Sequence, residues 1–341
     1  MPVSVRSVPA SVHLARTLAS PAMQAAVTTR CPGVAHVAGY HLGWLDVNGE
    51  PCVSSGGKAL RTALALVSAQ AAGADAEQGV PAAIAVELVH NFSLLHDDII
   101  DGDIERRHQP TAWAVFGTSQ AILTGNALFT AALALLLEQD CEGSRLAASS
   151  LVTASQRLLN GQAADLSFET RDDVTLPESL AMAADKTSAL FNCASSIGAA
   201  LVGGDHRLVS GLSEFGEHLG TAFQLIDDLR GIWGDPKTTG KPALSDLRSR
   251  KKTLPLVAAM SSGTRHAAEL AALYLHPAAM SDEELHRVAD LVEAAGGRRW
   301  AEEQTEVEFG AAMSTLAGLA MPEPAREALA DLARFALGRD R

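Results

Sequence analysis

Helical patterning runs almost without interruption from Lys58 to near the C-terminus of this 341-residue chain. Apolar residues recur at helical spacing, short turns separate the segments, and Pro81 stands where a helix begins. Alanine and leucine are abundant, only 4% of the residues are aromatic, and the sequence contains no convincing alternating strand pattern. We therefore predict an all-α chain of roughly ten to twelve helices.

The segments outside this helical region are less regular. Residues 1–30 form a weakly patterned N-terminal segment, loose to about Ser20, and residues 31–57 carry Pro, Gly and Asn punctuation. The helical region contains one long irregular stretch, residues 235–252, and a loop of that length in a compact helical domain is usually functional. The sequence predicts a single domain over residues 31–341.

The charge and the cysteines narrow the class of partner and the compartment. The net charge of −13 argues against nucleic acid and anionic membranes as partners. The four cysteines form no C-x-x-C pair, which is typical of free thiols in a reducing cytoplasm. No secretory signal is recognised, and the longest apolar run, residues 127–137, is shorter than the roughly 18 residues of a membrane span. We expect a cytoplasmic protein with no transmembrane segment.

An acidic cluster, HDDIIDGD at residues 96–103, ends an otherwise apolar helical segment. Asp97 and Asp101 are four positions apart, so their carboxylates lie on one face of the helix. Like charges at that spacing repel one another unless a cation lies between them, and Mg²⁺ prefers carboxylate oxygens. Arg106 and Arg107, which follow, are suited to bidentate phosphate binding. The pattern indicates a metal–diphosphate clamp, and the alternative is a solvated helix end.

A second acidic segment, FQLIDDLRGIWGD at residues 223–235, has the same character. Gln224 and Asp227 share one helical face, and Asp228 completes the aspartate pair. Because burying unpaired carboxylates is costly, a metal-filled cavity common to both clusters explains the two pairs. The loop that follows carries five basic residues, Lys241, Arg248, Arg250, Lys251 and Lys252. We predict a mobile cationic flap over an anionic substrate, and the alternative is a solvated run of charge.

Taken in order, these motifs resemble those of the trans-type polyprenyl synthases, which include farnesyl and geranylgeranyl diphosphate synthases. The resemblance covers nearly the whole chain past about residue 35. It rests on the segments GGKALR, HNFSLLHDDIIDGDIERR, GQAADLSFE, KTSALF, FQLIDD and KKTLP. It implies the all-α, single-domain helical bundle of the isoprenoid synthases around a central cavity, and it implies a homodimer.

The resemblance also implies a reaction, its metal ions and the residues that serve it. Isopentenyl diphosphate is joined to an allylic diphosphate (dimethylallyl, geranyl or farnesyl), with about three Mg²⁺ ions that Mn²⁺ can replace. The residues implied for isopentenyl diphosphate are Lys58, Arg61, His90 and Arg107. Those implied for the allylic diphosphate are Arg106, Lys186, Thr187, Gln224 and Lys241. The implied metal ligands are Asp97, Asp101 and Asp227, with Asp98, Asp165 and Asp228 as supporting carboxylates; the metal ligands, Lys186 and Lys241 form the catalytic set.

Two other functions share parts of this pattern. A class I terpene cyclase would not need the isopentenyl diphosphate cluster, whose residues are all present in this chain. A non-catalytic subunit of a heteromeric synthase is favoured by one departure, Gly231, where the family usually has Asp. We expect Gly231 to weaken the second metal site without abolishing it, and Gly231→Asp to change the rate by no more than about tenfold.

The product length is predicted from two residues that precede the first metal ligand. Ser93 and Phe92 lie four and five positions before Asp97, along the path of an allylic tail. In the resembling family, bulk at both positions usually gives a fifteen-carbon product, whereas here Phe92 is large and Ser93 is small. We predict geranylgeranyl diphosphate as the main product, with a farnesyl diphosphate synthase as one alternative. In the alternative to this role for α-helical residues 92 and 93, Phe92 packs in the core and a different helix limits the length of the product.

Overall fold

The computed structural model describes residues 8–52, 57, 59–106, 109–235, 243–276 and 278–338. These residues form sixteen α-helices, two 3-10 turns, one π-helical turn and one two-stranded ribbon. The prediction of an all-α chain is confirmed. The helices outnumber the roughly ten to twelve expected because several are only one or two turns long, too short to leave a periodic pattern.

The helices follow one another along the chain with mostly short connections. They are α1 (Ala10–Arg30), α2 (Ala35–His41), α3 (Leu60–Ala71), α4 (Val80–Ile100), α5 (Ala112–Phe116), α6 (Thr118–Leu137), α7 (Ser144–Glu169), α8 (Leu176–Ala183), α9 (Ala189–Leu201), α10 (His206–Trp233), α11 (Ser245–Arg248), α12 (Leu254–Met260), α13 (Arg265–Tyr274), α14 (Asp282–Ala294), α15 (Gly297–Gly318) and α16 (Glu323–Leu337). The 3-10 turns are Pro32–Val34 and Ala76–Gly79, and the π-helical turn is Ala184–Ser188. Strand β1 (Glu105–Arg106) pairs antiparallel with β2 (Gln109–Pro110).

The chain divides into two compact units. The first unit comprises Met1–Ser155, Leu190–Gly216 and Thr315–Arg341. The second unit comprises Gln156–Ala189 and Glu217–Ser314. The first acidic cluster therefore belongs to the first unit, and the second acidic segment belongs to the second unit.

The core of the first unit is centred on α3 and α4. Ten of the twelve residues of α3 are buried, so this helix has almost no solvated face. Helix α9 approaches α3 closely at Gly198, where a Cβ atom would lie 2.0 Å from the Ala65 carbonyl oxygen. On the other side, the Phe92 ring of α4 meets the Phe129 ring of α6 with centroids 5.2 Å apart. These contacts fix α4, whose C-terminal end carries the first acidic cluster.

The core of the second unit joins the C-terminal end of α10 to helices α11 to α14. Its buried side chains include Ile232, Leu247, Leu256, Leu270, Tyr274, Leu285 and Val292. The Tyr274 hydroxyl donates a hydrogen bond to the Lys251 carbonyl oxygen at 2.9 Å. The C-terminal end of the long irregular stretch is thereby fixed to α13.

The N-terminal segment differs from the expectation of a loose chain to about Ser20. From Ala10 it forms the 21-residue helix α1. Val12, Ala15 and Val27 of this helix are essentially inaccessible to solvent, so α1 is part of the first unit's core. The helix contains Pro21 in its interior, and prolines usually argue against a helix in the sequence.

Helix α6 is unusually apolar for its exposure. Among the described residues it is the one helix long and apolar enough to cross a membrane by length and composition, and 39% of that stretch is buried. Ile122, Leu123 and Leu137 are exposed on its surface. One face of α6 thus packs on α4, and the other presents apolar side chains.

Candidate active site

The first acidic cluster lies at the C-terminal end of α4. Asp97 is half-buried and Asp101 is exposed, and the Asp101 amide donates a hydrogen bond to the Asp97 carbonyl oxygen at 2.8 Å. Because the backbone is still helical between them, the two side chains emerge on one face. The expectation that this carboxylate pair shares one helical face is confirmed.

Asp98, between them, has a different environment. Its side chain is buried, and the Arg106 Nε atom donates a hydrogen bond to its Oδ1 atom at 2.6 Å. Burial raises the pKa of Asp98 above its ordinary value, while the Arg106 guanidinium acts in the opposite direction. Asp98 therefore ties strand β1 to the end of α4. It holds Arg106, one of the two residues singled out for phosphate binding, while Arg107 lies outside the described residues.

Of the residues expected to bind isopentenyl diphosphate, the structure describes Arg61 near the start of α3 and His90 on α4. Arg61 places its guanidinium 4.4 Å from the centre of the Phe191 ring, and His90 is half-buried on α4. Lys58 lies outside the described residues, but the residue after it, Ala59, adopts a left-handed conformation with φ of 50°. A non-glycine residue in this region is strained, and such strain is concentrated at functional sites.

The two residues expected to limit chain length are both buried. Phe92 is 6% exposed, and its ring contacts the His96 ring at a centroid distance of 4.8 Å as well as the Phe129 ring. Ser93 is 7% exposed, and its hydroxyl donates to the His90 carbonyl oxygen at 2.8 Å. Phe92 is therefore committed to the packing of α4 on α6, whereas Ser93 satisfies its hydroxyl on its own helix and adds little bulk.

The second acidic segment lies within α10. Asp227 is exposed, whereas Asp228 is buried and accepts hydrogen bonds from Gln224 Nε2 at 2.6 Å and from the Leu254 amide at 2.8 Å. Burial raises the pKa of Asp228 to about 8, although both hydrogen bonds favour its ionised form. Because Leu254 is the first residue of α12, Asp228 satisfies one of the amides that a helix start leaves without a helical partner.

The residues expected around the allylic diphosphate are linked to this segment or to one another. Thr187 donates a hydrogen bond to Gln224 Oε1 at 2.6 Å, which extends the chain Thr187–Gln224–Asp228. Lys186 forms an ion pair with Asp165 at 2.5 Å. The structure thus brings together Asp165 with Lys186, and Thr187 with Gln224 and Asp228. Lys241 lies outside the described residues.

Lys186 and Thr187 lie in the π-helical turn Ala184–Ser188, a rare conformation that is often found at functional sites. Helix α7 passes close to this turn at Gly161, where a Cβ atom would lie 2.2 Å from the Lys186 amide nitrogen. Gly161 is therefore required by the close approach of the two backbones. The first residue of the GQAAD motif, Gly161, therefore lies next to the first residue of the KTSALF motif, Lys186.

Arg157 is a functional candidate that the sequence reasoning missed. Its guanidinium donates to Asp185 at 2.8 Å, to both carboxylate oxygens of Glu217 at 2.7 and 2.9 Å, and to the Ala184 carbonyl oxygen at 3.3 Å. Hydrogen bonding to Glu217 raises the pKa of Arg157. Through Asp185 and Ala184, these contacts fix the first two residues of the π-helical turn. Its partners are 28 and 60 residues away in the chain, so no local motif signals the role.

The expectation of a mobile cationic flap is wrong for two of its basic residues, Arg250 and Lys252, which donate to backbone carbonyl oxygens. Lys252 is buried and donates to the Phe168 carbonyl oxygen at 2.5 Å, and burial lowers its pKa. Arg250 donates to the carbonyl oxygens of Tyr274 and Ala278. Arg248 pairs with Asp282 at 2.7 Å. Arg250 and Lys252 anchor the C-terminal end of the stretch within the second unit. Their carbonyl partners are distant in the sequence, so the sequence alone does not reveal these contacts.

The less buried carboxylates of the two acidic segments fit magnesium binding that is completed by substrate. Among the described residues, no three His, Cys, Asp or Glu side chains are grouped to hold a metal ion by themselves. Mg²⁺ commonly binds through one or two carboxylates and completes its shell with water and substrate phosphates. Asp97 and Asp101 in the first unit and Asp227 in the second unit suit this mode of binding. Asp98 and Asp228 are buried and accept hydrogen bonds from protein donors, which suits them to a supporting role.

Known proteins share this sequence and architecture. The polyprenyl synthetase family model matches residues 43–292. A (2E,6E)-farnesyl diphosphate synthase of Mycobacterium tuberculosis is 43% identical over 96% of this chain and 92% of that protein. A geranylgeranyl diphosphate synthase of the same organism is 43% identical over 90% of this chain and 88% of that protein. The crystal structure of a polyprenyl synthetase from Streptomyces coelicolor A3(2) matches with a TM-score of 0.93 and 47% identity, covering 97% of this chain and 99% of that one.

Proposed function

The chain belongs to the polyprenyl synthetase family, and on that premise we propose that it elongates allylic diphosphates with isopentenyl diphosphate mainly to geranylgeranyl diphosphate. That it is a short-chain prenyltransferase follows from the family and from the relatives named above. The observation that supports the twenty-carbon product is the small side chain of Ser93, one helical turn before Asp97.

Phe92 and Ser93, the two residues expected to limit chain length, lie on different sides of α4. At 3.6 residues per turn, Ser93 is about 40° around the helix axis from Asp97, and Phe92 is about 140° away. The Phe92 ring packs on Phe129 of α6. An allylic tail that follows the face of Asp97 therefore passes Ser93 rather than Phe92, and Ser93 leaves room for a longer chain.

Farnesyl diphosphate is the second candidate product, because one relative with 43% identity is a farnesyl diphosphate synthase. Incubation with isopentenyl diphosphate and labelled dimethylallyl diphosphate, followed by separation of the products by length, tests the choice. We expect mainly twenty carbons, and a product that stops at fifteen would favour the alternative. Ser93→Phe should shorten the product towards fifteen carbons, whereas the matched control Ser93→Ala should leave it unchanged.

Phe92→Ala is a second test of the same helix. The sequence pattern predicts a longer product from this variant. Loss of the Phe92 ring would also loosen the packing of α4 on α6. If neither Phe92→Ala nor Ser93→Phe alters the product, α4 does not limit the chain.

The proposed mechanism assigns three roles to three sets of residues: metal binding, allylic diphosphate binding and isopentenyl diphosphate binding. Asp97, Asp101 and Asp227 would hold the Mg²⁺ ions, about three in number and replaceable by Mn²⁺. When bound, Mg²⁺ neutralises the negative charge that develops on the leaving diphosphate. The allylic diphosphate is bound and oriented by the second set, whose members are Arg106, Lys186, Thr187, Gln224 and Lys241.

Neighbouring side chains keep this second set in position. Asp165 fixes the ammonium group of Lys186, and Thr187 and Asp228 fix both ends of the Gln224 amide. Asp98 does the same for Arg106. Such support is what holds binding groups in a productive arrangement before substrate arrives.

Isopentenyl diphosphate would be bound by Lys58, Arg61, His90 and Arg107. Arg61 is steadied by the Phe191 ring, which accepts a guanidinium over its face. The proton lost after carbon–carbon bond formation is assigned to an oxygen of the departing diphosphate, since no side chain stands out as the base. Exclusion of water from the site would protect the allylic cation.

We further propose a cytoplasmic homodimer. The exposed apolar residues Ile122, Leu123 and Leu137 of α6 support an interface between two copies, since such patches on soluble proteins commonly mark contact surfaces. Free thiols at all four cysteines agree with a reducing compartment. Light scattering should give twice the 35.6 kDa chain mass, and Leu123→Glu should shift it towards the monomer.

A further inference from the structure

A short chain of side-chain hydrogen bonds joins α3 to α4 within the first unit. The Thr62 hydroxyl on α3 donates to Glu87 Oε2 on α4 at 2.7 Å. The Asn91 side-chain amide, four positions further along α4, donates to Glu87 Oε1 at 3.3 Å and to the Glu87 carbonyl oxygen at 2.8 Å. Both oxygens of this carboxylate therefore have a donor, and one of the donors belongs to the neighbouring helix.

The bond between Thr62 and Glu87 couples the backbones of the two helices. Thr62 is 4% exposed and Asn91 is 3% exposed, and the carboxylate between them is partly buried. Because threonine is branched at Cβ and stiff, its hydroxyl moves little relative to the backbone of α3. Asn91 holds the other end of the carboxylate on α4. A hydrogen bond to an ionised group is also stronger than one between neutral groups.

Most of the remaining contact surface of α3 is apolar and gives no such directional constraint. Apolar contacts are non-directional, so they permit small sliding movements of one helix along another. The buried Ser68 hydroxyl of α3 donates to the Ala65 carbonyl oxygen of its own helix and accepts the Ala199 amide of α9 at 3.3 Å. Ser68 therefore ties α3 to α9, whereas Thr62 ties α3 to α4.

This contact lies beside the residues assigned to isopentenyl diphosphate. Thr62 directly follows Arg61, and Glu87 precedes His90 by three positions. Three positions on a helix correspond to about 4.5 Å along the axis and about 60° around it. The separation of Arg61 from His90 therefore depends on the register of α3 against α4, which the Thr62–Glu87 bond fixes one position and one turn away from them.

We propose that Thr62 and Glu87 are positioning residues for isopentenyl diphosphate. Their hydrogen bond holds α3 and α4 in the register that lets Arg61 and His90 bind one diphosphate group together. Neither positioning residue touches the substrate. The inference rests on the assignment of Arg61 and His90 under the proposed function.

The test is a change in one KM without the other. Thr62→Val keeps the branched shape and removes the hydroxyl. We expect the KM for isopentenyl diphosphate to rise about five- to twentyfold, because small misplacements of binding groups are costly. The KM for the allylic substrate and kcat should stay within about twofold, as expected when only the binding of one substrate is weakened.

Two further variants separate positioning from loss of stability. Thr62→Ser keeps the hydroxyl and should restore the KM for isopentenyl diphosphate to within about twofold of the unmodified enzyme. Thr124→Val, on α6, removes a buried hydroxyl that bonds to the Gln120 carbonyl oxygen of its own helix. It is the matched control, and it should leave the KM for isopentenyl diphosphate unchanged. A lower melting temperature in Thr62→Val with both KM values unchanged would overturn the inference, as would equal losses in Thr62→Val and Thr62→Ser.

A double-variant cycle identifies the partner. If Thr62 acts through Glu87, Thr62→Val should raise the KM no further in an enzyme that already carries Glu87→Leu, and additive effects would contradict the pairing. Thr62→Val and Thr62→Ser decide the question if Glu87→Leu does not fold. Failure of the substrate assignment gives a different result, since Arg61→Ala would then leave the KM for isopentenyl diphosphate unchanged. A raised KM in Arg61→Ala with none in Thr62→Val contradicts the positioning role alone.

Discussion

The C-terminal end of α4 and the interior of α10 each carry a pair of adjacent aspartates, but the next carboxylate beside the pair comes from a different place in each. In both, the second aspartate is buried and accepts protein donors: Asp98 from Arg106, Asp228 from Gln224 and Leu254. In both, the first aspartate is the less buried of the two. On α4 the outer carboxylate is supplied locally by Asp101, whereas on α10 the corresponding position is Gly231 and the carboxylate beside it belongs to Asp246.

This difference shows that a motif is defined by the groups assembled around it, not only by its letters. The local version can be recognised from spacing on one helix. The carboxylate beside Gly231 belongs to α11, fifteen residues later in the chain, and its neighbours Leu244 and Leu247 are buried.

Removal of the outer carboxylates should have the largest effect. Asp97→Ala or Asp101→Ala should lower kcat/KM on the order of 10³-fold, about 4 kcal/mol, because each contributes to binding the metal that stabilises the leaving group. EDTA should abolish turnover, and Mg²⁺ or Mn²⁺ should restore it. Steady-state kinetics measure kcat/KM, and a thermal melt shows that each variant is folded. Asp103→Asn is the neighbouring control. Full activity in either alanine variant would remove these residues from the metal site.

Loss of Arg61 and loss of Lys186 should differ in which substrate's KM they raise. Arg61→Ala, in the first unit, should raise the KM for isopentenyl diphosphate, and Lys186→Ala, in the second unit, should raise the KM for the allylic substrate. Each loses a charge-assisted phosphate contact worth about 1.5–3 kcal/mol, or roughly 10–150-fold. Varying one substrate at saturating levels of the other separates the effects. An equal change in both KM values for each variant would contradict the division of roles.

The buried aspartates should be chiefly stabilising. Asp228→Ala leaves the Leu254 amide and the Gln224 side chain without their acceptor, which costs about 1–3 kcal/mol of the free energy of unfolding. Asp98→Ala should cost a similar amount by depriving Arg106 of its partner. Chemical denaturation should show this loss for both variants and a smaller one for Asp97→Ala, whose side chain is only half-buried. If Asp97→Ala unfolds as readily as Asp98→Ala, the assignment of inner and outer roles is wrong.

The smallest expected effect concerns the support of the π-helical turn. Arg157→Lys keeps the positive charge but loses the bidentate contact with Glu217 and the bond to Asp185. We expect the KM for the allylic substrate to rise about three- to tenfold, because Lys186 loses its exact placement, with little change for isopentenyl diphosphate. Arg145→Lys, on the same helix, is the control. A change confined to the isopentenyl diphosphate KM would contradict this role.

What could be predicted from the sequence was local. The helices, the shared face of Asp97 and Asp101 and the order of the motifs follow from spacing along the chain. Arg157, Asp246 and the anchoring of Arg250 and Lys252 could not be predicted, because their partners are distant in sequence and depend on how helices pack. The helix α1 was missed for another reason, since Pro21 lies in its interior.

The central claim is that this prenyltransferase extends its product to twenty carbons, and farnesyl diphosphate as the only primer tests it most directly. With labelled farnesyl diphosphate, isopentenyl diphosphate and Mg²⁺, the enzyme should perform one condensation and release labelled geranylgeranyl diphosphate. The same reaction with Ser93→Phe should be slowed far more than the reaction that starts from dimethylallyl diphosphate. An enzyme that leaves farnesyl diphosphate unconverted, while it readily elongates dimethylallyl diphosphate to fifteen carbons, would contradict the account.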